Sequence, residues 1–120
     1  MEPPLFVFAG EDVAVFPSAE AAAARLERLG VEIGRCDAFD SRGRRLALRV
    51  VETEQRLRGF RVETRSLLVE AAEPEPSGQA ELRARLSAYL ALFDLDPSYL
   101  GTAALADLVR TAAERHGVRV

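Results

Sequence analysis

The sequence predicts an α+β fold, with a single domain over residues 1–120 and a mainly antiparallel sheet of about five strands. Residues 1–72 are rich in β-branched and aromatic runs, which are typical of strands. Residues 73–78 form a Pro-rich connector, and Pro interrupts both helices and central strands. Residues 79–117 carry apolar side chains at helical spacing. We therefore expect one helix after the first hairpin and two C-terminal helices beyond the connector.

The first predicted element is a hairpin. Two apolar runs, residues 5–9 and residues 13–16, flank a turn that contains Gly10. Because both faces of the first run are apolar, we expect that strand to lie inside the sheet with a helix covering one side.

A helix is predicted directly after this hairpin. Ser18 is a suitable N-cap, and the helix is expected to end at Leu29 with Gly30 in the position that follows a helix C-terminus. Its apolar stripe consists mostly of alanine, so the helix can approach the sheet closely.

The remaining strands are predicted from a turn and two alternating patterns. Residues 40–43 begin with Asp and end with Gly, which is a type I turn signal. A strand with one buried and one solvated face is expected over residues 45–51. Residues 52–59 are interpreted as a polar turn, and a further strand is expected over residues 60–69.

Capping residues place the C-terminal helices. Ser77 is expected to cap the helix that follows the connector. Asp96 and Pro97 predict the start of a short helical turn, because Asp is a good N-cap and Pro is favoured at the first helical position. Thr102 is expected to cap the last helix, which Gly117 terminates.

The composition limits the classes of function. All sixteen basic residues are Arg and none is Lys, which indicates a GC-rich genome, so part of the Arg content reflects codon bias. A net charge of −3 argues against a general nucleic-acid binder, so we expect no nucleic-acid partner. The N-terminus lacks a signal-peptide pattern and no segment approaches the length of a membrane span, so we expect a cytoplasmic protein without a membrane partner.

No catalytic constellation is visible in the sequence. His116 is the only histidine and Cys36 the only cysteine, so a Cys-His pair could form only through the fold. We interpret His116 as a helix-end residue and Cys36 as a small buried apolar residue. Without Lys, neither a G-x-x-x-x-G-K loop nor a Lys Schiff base is possible, and the eight glycines never form G-x-G-x-x-G. We therefore predict a non-enzymatic protein with no cofactor.

Three carboxylate pairs could be interpreted as Mg²⁺ ligands, although capping and solvated turns explain them better. These pairs are Asp94 with Asp96, Glu52 with Glu54, and Glu73 with Glu75. We predict no metal site from them.

Charged residues provide the candidate partner-binding set, which comprises Arg45, Arg49, Arg61, Arg65, Asp94 and Asp96. The four arginines could share one solvent face of the sheet and form a positive surface for a partner. The alternative is a solvated sheet face whose Arg content follows codon bias.

The segment 12–20, followed by Leu26-Glu27, Val31-Glu32 and residues 38–44, resembles short bacterial proteins, some of which resemble immunity proteins of contact-dependent or secreted toxin systems. The likeness covers roughly the first 50 residues. It implies a cytoplasmic protein that neutralises a toxin by covering its active site, and it brings no catalytic residues to transfer.

The favoured hypothesis is therefore a non-enzymatic protein-binding domain of the immunity type. A first alternative is a small-molecule binder or minor enzyme, with a pocket between the sheet and the C-terminal helices near Tyr89, Tyr99 and His116. A second alternative is a structural subunit that pairs through an exposed sheet edge, which leaves a homodimer open.

Overall fold

The chain is rich in strands up to the Pro-rich connector and helical after it. The structure, a computed structural model, describes residues 1–10, 12–29 and 33–118, without the side chains at positions 33, 53, 57 and 64. The strands are β1 (Leu5–Ala9), β2 (Asp12–Phe16), β3 (Cys36–Phe39), β4 (Arg45–Leu57) and β5 (Phe60–Ala71). The α-helices are α1 (Ala19–Leu29), α2 (Gln79–Ala91), α3 (Pro97–Thr102) and α4 (Leu105–Arg115), and a 3₁₀ turn at Ile33–Arg35 precedes β3.

Within the described residues the strands form one sheet of order β2-β1-β3-β4-β5, in which every neighbouring pair is antiparallel. The predicted α+β class, the antiparallel sheet, the helix after the first hairpin and the C-terminal helices are confirmed. One more helix is present than the two expected after the connector, because the short turn that begins at Pro97 is a separate α-helix.

Strand β1 organises the core because its two faces are both apolar. Phe6 and Phe8 pack on one face among residues of α2, α3 and α4. Leu5 and Val7 pack on the opposite face with Leu26 of α1. The expectation that a helix covers one side of this strand is therefore incomplete, since helices cover both sides and the fold has three layers.

The observed caps confirm some of the predicted helix starts. The Ser18 hydroxyl accepts a hydrogen bond from the Ala21 N–H at 3.0 Å, as expected for the cap of α1. The Asp96 carboxylate accepts from the Ser98 N–H at 2.9 Å, and Pro97 occupies the first turn of α3. The predicted role of Gly30 falls outside the described residues.

Two predicted caps are wrong. The residue at the N-cap of α2 is Gly78, whereas the Ser77 hydroxyl donates to the carboxylate of Glu73. Thr102 lies inside α3, where its hydroxyl donates to the Ser98 carbonyl at 2.8 Å, and Ala104 is the N-cap of α4. In both cases the hydroxyl forms a hydrogen bond to a residue four positions earlier. This hydrogen bond competes with capping of the next helix.

The predicted polar turn over residues 52–59 is also wrong. Strand β4 continues to Leu57, and the turn consists of Arg58 and Gly59, with φ of 52° and 82°. Two consecutive positive φ values define the type I′ turn, which suits the twist of a two-residue hairpin. The polar residues of this segment are strand residues, because each lies opposite a residue of β5 in an unbroken register from Leu46↔Ala71 to Leu57↔Phe60.

The β4–β5 hairpin projects beyond the core. Strand β3 pairs with β4 only at Leu46 and Arg45, so the rest of β4 has β5 as its only strand neighbour among the described residues. The molecule measures 63 × 28 × 24 Å and its radius of gyration is 16.4 Å. A compact domain of this length would have a radius of gyration of about 14 Å. We call residues 51–66 the distal hairpin.

Helix α1 covers the base of β5. Leu67 and Val69 are buried in the layer between α1 and the sheet. The Glu27 carboxylate of α1 accepts a hydrogen bond from the Leu67 N–H. Because Leu67 belongs to an edge strand, the Glu27 side chain protects a backbone N–H that would otherwise be open to pairing with another strand.

The turn between β3 and β4 is fixed by a buried carboxylate. Asp40 is 1% exposed, and it accepts hydrogen bonds from the N–H groups of Glu2, Arg42 and Arg44 at 3.1, 3.0 and 2.8 Å. The Gly43 carbonyl accepts from the Gly78 N–H at 2.9 Å. This turn therefore sets both the start of β4 and the start of α2.

We predict that Leu86→Ala and Leu108→Ala each lower the free energy of unfolding by about 2–5 kcal/mol, because both side chains are fully buried between the sheet and the helices. Leu92→Ala, at a position that is 70% exposed, is the matched control and should change stability little. Denaturant titration measures all three variants. Equal losses at the buried and exposed positions would contradict the assigned core.

Candidate functional site

The tip of the distal hairpin exposes an aromatic side chain among cations. Phe60, directly after the turn, is 73% exposed. Arg58 occupies the turn itself, and Arg56 lies directly opposite Arg61 in the strand register. Like charges directly opposite each other on a sheet destabilise it, so this arrangement is unfavourable for the hairpin alone.

Only part of this positive charge is neutralised. Arg61 forms an ion pair with Glu54 at 2.5 Å. Arg56 and Arg58 form no ion pair with the residues that the structure describes. The tip therefore carries an excess of positive charge and an exposed ring. Phe60 and Arg56 lie on opposite faces of the hairpin, because Phe60 is opposite Leu57 and Arg56 is opposite Arg61 in the strand register.

The four arginines of the candidate set do not share one face. In the strand register Arg45 and Arg49 lie on the side of α2, whereas Arg61 and Arg65 lie on the side of α1. The expectation of a single Arg surface is therefore wrong. It assumed a turn over residues 52–59, and the true two-residue turn places the two strands in a different register.

Each arginine of that set has an acidic partner. Arg65 pairs with Glu52 at 3.0 Å and Arg49 pairs with Glu70 at 3.3 Å. Arg45 pairs with Glu81 of α2, and its guanidinium lies 5.4 Å from the centre of the Phe39 ring. These exposed pairs stabilise the fold little.

The two candidate aspartates lie in the turn between α2 and α3. Asp94 is exposed and has a φ of 58°, a conformation that Asp tolerates better than most residues. Asp96 caps α3, so its carboxylate already has a structural partner. Strand order and register do not bring either residue to the distal hairpin.

Among the described residues no group of three or more His, Cys, Asp or Glu side chains has a geometry that could hold a metal ion. Glu52 and Glu54 share one face of β4, yet each is paired with an arginine of β5.

The two residues of the Cys-His alternative lie in different layers. His116 ends α4, and its Nε2 lies 2.8 Å from the Tyr89 hydroxyl. Burial, with a smaller effect of Arg115, lowers the pKa of His116. Cys36 packs in the layer on the α1 side, and burial together with Asp37 raises the pKa of its thiol. A thiol with a raised pKa is a poor nucleophile.

A cleft of about 330 Å³ lies between the β1–β2 hairpin and α2, lined by Phe8, Val13, Arg85, Tyr89 and Leu92 among others. The polar side chains that line this cleft already interact with other residues of the protein. Arg85 pairs with Asp37 at 2.7 Å and Tyr89 contacts His116. Tyr99 lies elsewhere and its hydroxyl contacts that of Thr111 at 3.3 Å.

Glu73 connects the Pro-rich connector to the start of β4 through hydrogen bonds. Its carboxylate accepts from the N–H groups of Arg45 and Ser77 at 3.1 and 3.0 Å, and from the Ser77 hydroxyl. These hydrogen bonds, with that of the Ser77 hydroxyl first, lower the pKa of Glu73 to about 2. Glu73 is thus a structural residue.

Comparison of the chain with family models, with curated proteins and with solved structures finds no match for any of the three. No helix in the described part of the chain combines the length and the apolar character that a membrane crossing requires.

Sequence reasoning missed the tip as a candidate site. The sequence pattern predicts Phe60 in a strand and Arg56 and Arg58 in a polar turn, so it does not predict that they meet at one end of a hairpin. The signal was the pair Arg58-Gly59 between two segments that both alternate, since Gly in a two-residue connection favours a tight hairpin.

We predict that Glu73→Gln removes a pH-dependent part of the stability. In the wild type the folded-state pKa of Glu73 lies below its ordinary value of 4.5. The carboxylate therefore stabilises the fold above pH 4.5, and this contribution is lost as the pH falls towards 2. Denaturant titrations from pH 7 to pH 2 should show a smaller decline for Glu73→Gln. Identical declines would contradict the assigned hydrogen bonds, and Glu75→Gln serves as the control.

Proposed function

We propose that this protein is a non-enzymatic protein-binding domain that presents the tip of its distal hairpin to an acidic surface of another protein. The observation that carries the proposal is the exposed Phe60 ring at the same end of the hairpin as Arg56 and Arg58, which have no acidic partner among the described residues. Aromatic residues and Arg are the side chains most enriched where protein interfaces concentrate their binding energy.

The tip lowers the stability of the hairpin, which supports a role in binding and not in folding. Arg56 opposite Arg61 weakens the strand pair, and Phe60 contributes an exposed ring that no helix covers. Local features that disagree with stability occur mainly at functional sites. An acidic cleft that encloses both faces of the tip would relieve the repulsion and cover the ring at the same time.

The shape of the hairpin suits insertion into a concave partner surface. The distal hairpin is two strands wide and extends past the core, so the tip can enter a cleft while the base stays outside. This agrees with the resemblance to immunity proteins, which makes a toxin with an acidic active-site cleft the first partner class to test. In this role a cytoplasmic location follows from the function.

The cleft beside α2 supports a small-molecule function less well. Arg85 and Tyr89, which are the side chains that could orient a ligand, are engaged with Asp37 and His116. A polar ligand would have to displace these contacts.

We predict that the double variant Arg56→Thr and Arg58→Asn raises the dissociation constant for the partner by roughly tenfold or more. The reason is that it removes two positive charges that the partner would cover in the complex. Its stability should equal or exceed that of the wild type. Thr relieves the repulsion of Arg61, and Asn favours the positive φ of the turn.

The control is Arg25→Gln and Arg28→Gln on the exposed side of α1, which changes the net charge equally. Purified products of the neighbouring genes are the probes, measured by titration calorimetry. Equal losses in both double variants would show a net-charge effect and contradict the tip site. Binding of nucleic acid in place of protein by the same tip would also contradict the proposal.

A further inference from the structure

The two faces of the distal hairpin differ in charge. Residues directly opposite each other in an antiparallel pair share a face, and successive residues of a strand alternate between faces. One face therefore carries three glutamates and three arginines, which are Glu52, Glu54, Arg56, Arg61, Glu63 and Arg65. The described side chains of the other face carry no charge, and they are Val51, Gln55, Phe60, Val62 and Ser66. We call these two sets the charged face and the uncharged face.

The uncharged face has the composition of a sheet face that packs against other atoms. Phe60 is 73% exposed, and Leu68, which continues this face towards the base, is 39% exposed. Antiparallel strands with one covered face and one solvated face alternate in this way. Neither core cluster of the described residues includes Val51, Phe60 or Val62. The pattern is therefore that of a covered face whose cover lies outside the described part of the chain.

The charged face is already suited to a polar environment. Arg61 pairs with Glu54 at 2.5 Å, and Arg65 pairs with Glu52 at 3.0 Å. These ion pairs need no further cover, so the two faces of the hairpin require different surroundings.

The size of the uncharged face argues against a second copy of this chain as its cover. Seven residues of each strand form the distal hairpin. They give a face about 24 Å long and about 10 Å wide, which is about 240 Å². A stable interface buries about 800 Å² on each partner, so two uncharged faces stacked on each other fall well short of this area.

A cleft that encloses the hairpin reaches the required area. A two-stranded ribbon is about as thick as it is wide, so its faces, edges and tip together present roughly 1,000 Å². In the proposed function the tip enters a cleft of an acidic partner. The uncharged face then lies against one wall of that cleft, and the charged face lies against the other.

We propose that the uncharged face of the distal hairpin binds an apolar wall of the partner's cleft, while Arg56 and Arg58 bind acidic residues of the opposite wall and the floor. This inference rests on the proposed function and adds a second contact surface to it. An apolar wall is complementary to the Phe60 and Val62 side chains. A charged wall would lose its hydration against them without gaining a partner. The partner is thus a protein with a narrow cleft whose two walls differ in polarity.

Gln55 allows a direct test, because it is exposed on the uncharged face and Glu has nearly the same shape as Gln. Gln55→Glu and Gln55→Lys should each raise the dissociation constant by roughly tenfold or more, because either charge would lose its water against an apolar wall. Against an acidic wall, Gln55→Lys would bind at least as tightly as the wild type. The melting temperature should change little in both variants, since the position is exposed.

The probe is the product of a neighbouring gene that binds the wild-type full chain, and titration calorimetry measures each variant. Glu20→Gln and Arg25→Gln, at exposed positions of α1, are the controls. Glu20→Gln changes the net charge as Gln55→Lys does, and Arg25→Gln changes it as Gln55→Glu does. Losses confined to the two Gln55 variants support the apolar wall.

Gln55→Lys that binds as tightly as the wild type overturns the inference, and so do equal losses in the α1 controls. The double variant Arg56→Thr and Arg58→Asn separates this failure from a failure of the proposed function. If the double variant still weakens binding, the tip site stands and only the apolar wall is wrong. If no neighbouring gene product binds the wild type, the proposed function fails and this inference fails with it.

Discussion

The buried carboxylate of Asp40 holds the junction on which the rest of the molecule depends. Its oxygens accept hydrogen bonds from three backbone N–H groups. The turn that Asp40 stabilises in this way joins the central strand β3 to the long hairpin. Gly43 in this turn has a φ of 84°, and a Cβ there would lie 2.6 Å from the Gln79 backbone. The direction of the hairpin and the start of α2 are thus set together, and the hairpin leaves the core at a defined place.

The two halves of the hairpin follow different physical rules. The base is buried on the α1 side, where Leu46, Leu67 and Val69 pack in the core. The distal part has exposed ion pairs in place of a core, and such pairs add little stability. A hairpin that is not packed against other elements is marginally stable at best. The proposed partner would stabilise this part of the hairpin by covering its aromatic tip and pairing its free arginines.

The sequence predicts the parts of the fold in which one residue or one pattern decides the outcome. Ser18 and Asp96 cap the helices as expected, and the alternation of residues 45–51 identifies a strand. The prediction failed where two interpretations of polar residues compete. Residues 52–57 have the composition of a turn, but cross-strand partners in β5 make them a strand, and those partners are remote in sequence. The candidate site was therefore also predicted wrongly, because the position of Phe60 and the faces of the arginines depend on the length of the hairpin.

If the distal hairpin binds a partner, as we propose, the core should fold without it. Hydrogen-bonded pairs recur at every second position from Leu57 and Phe60, so Val51 and Ser66 form such a pair, and an Asn-Gly turn can join them in place of residues 52–65. The decisive measurement is denaturant unfolding of this shortened chain beside a binding titration with the partner of the full chain. We expect the free energy of unfolding of the shortened chain to lie within about 1 kcal/mol of that of the full chain, and we expect no binding. An unfolded core, or binding that survives the deletion, would contradict it.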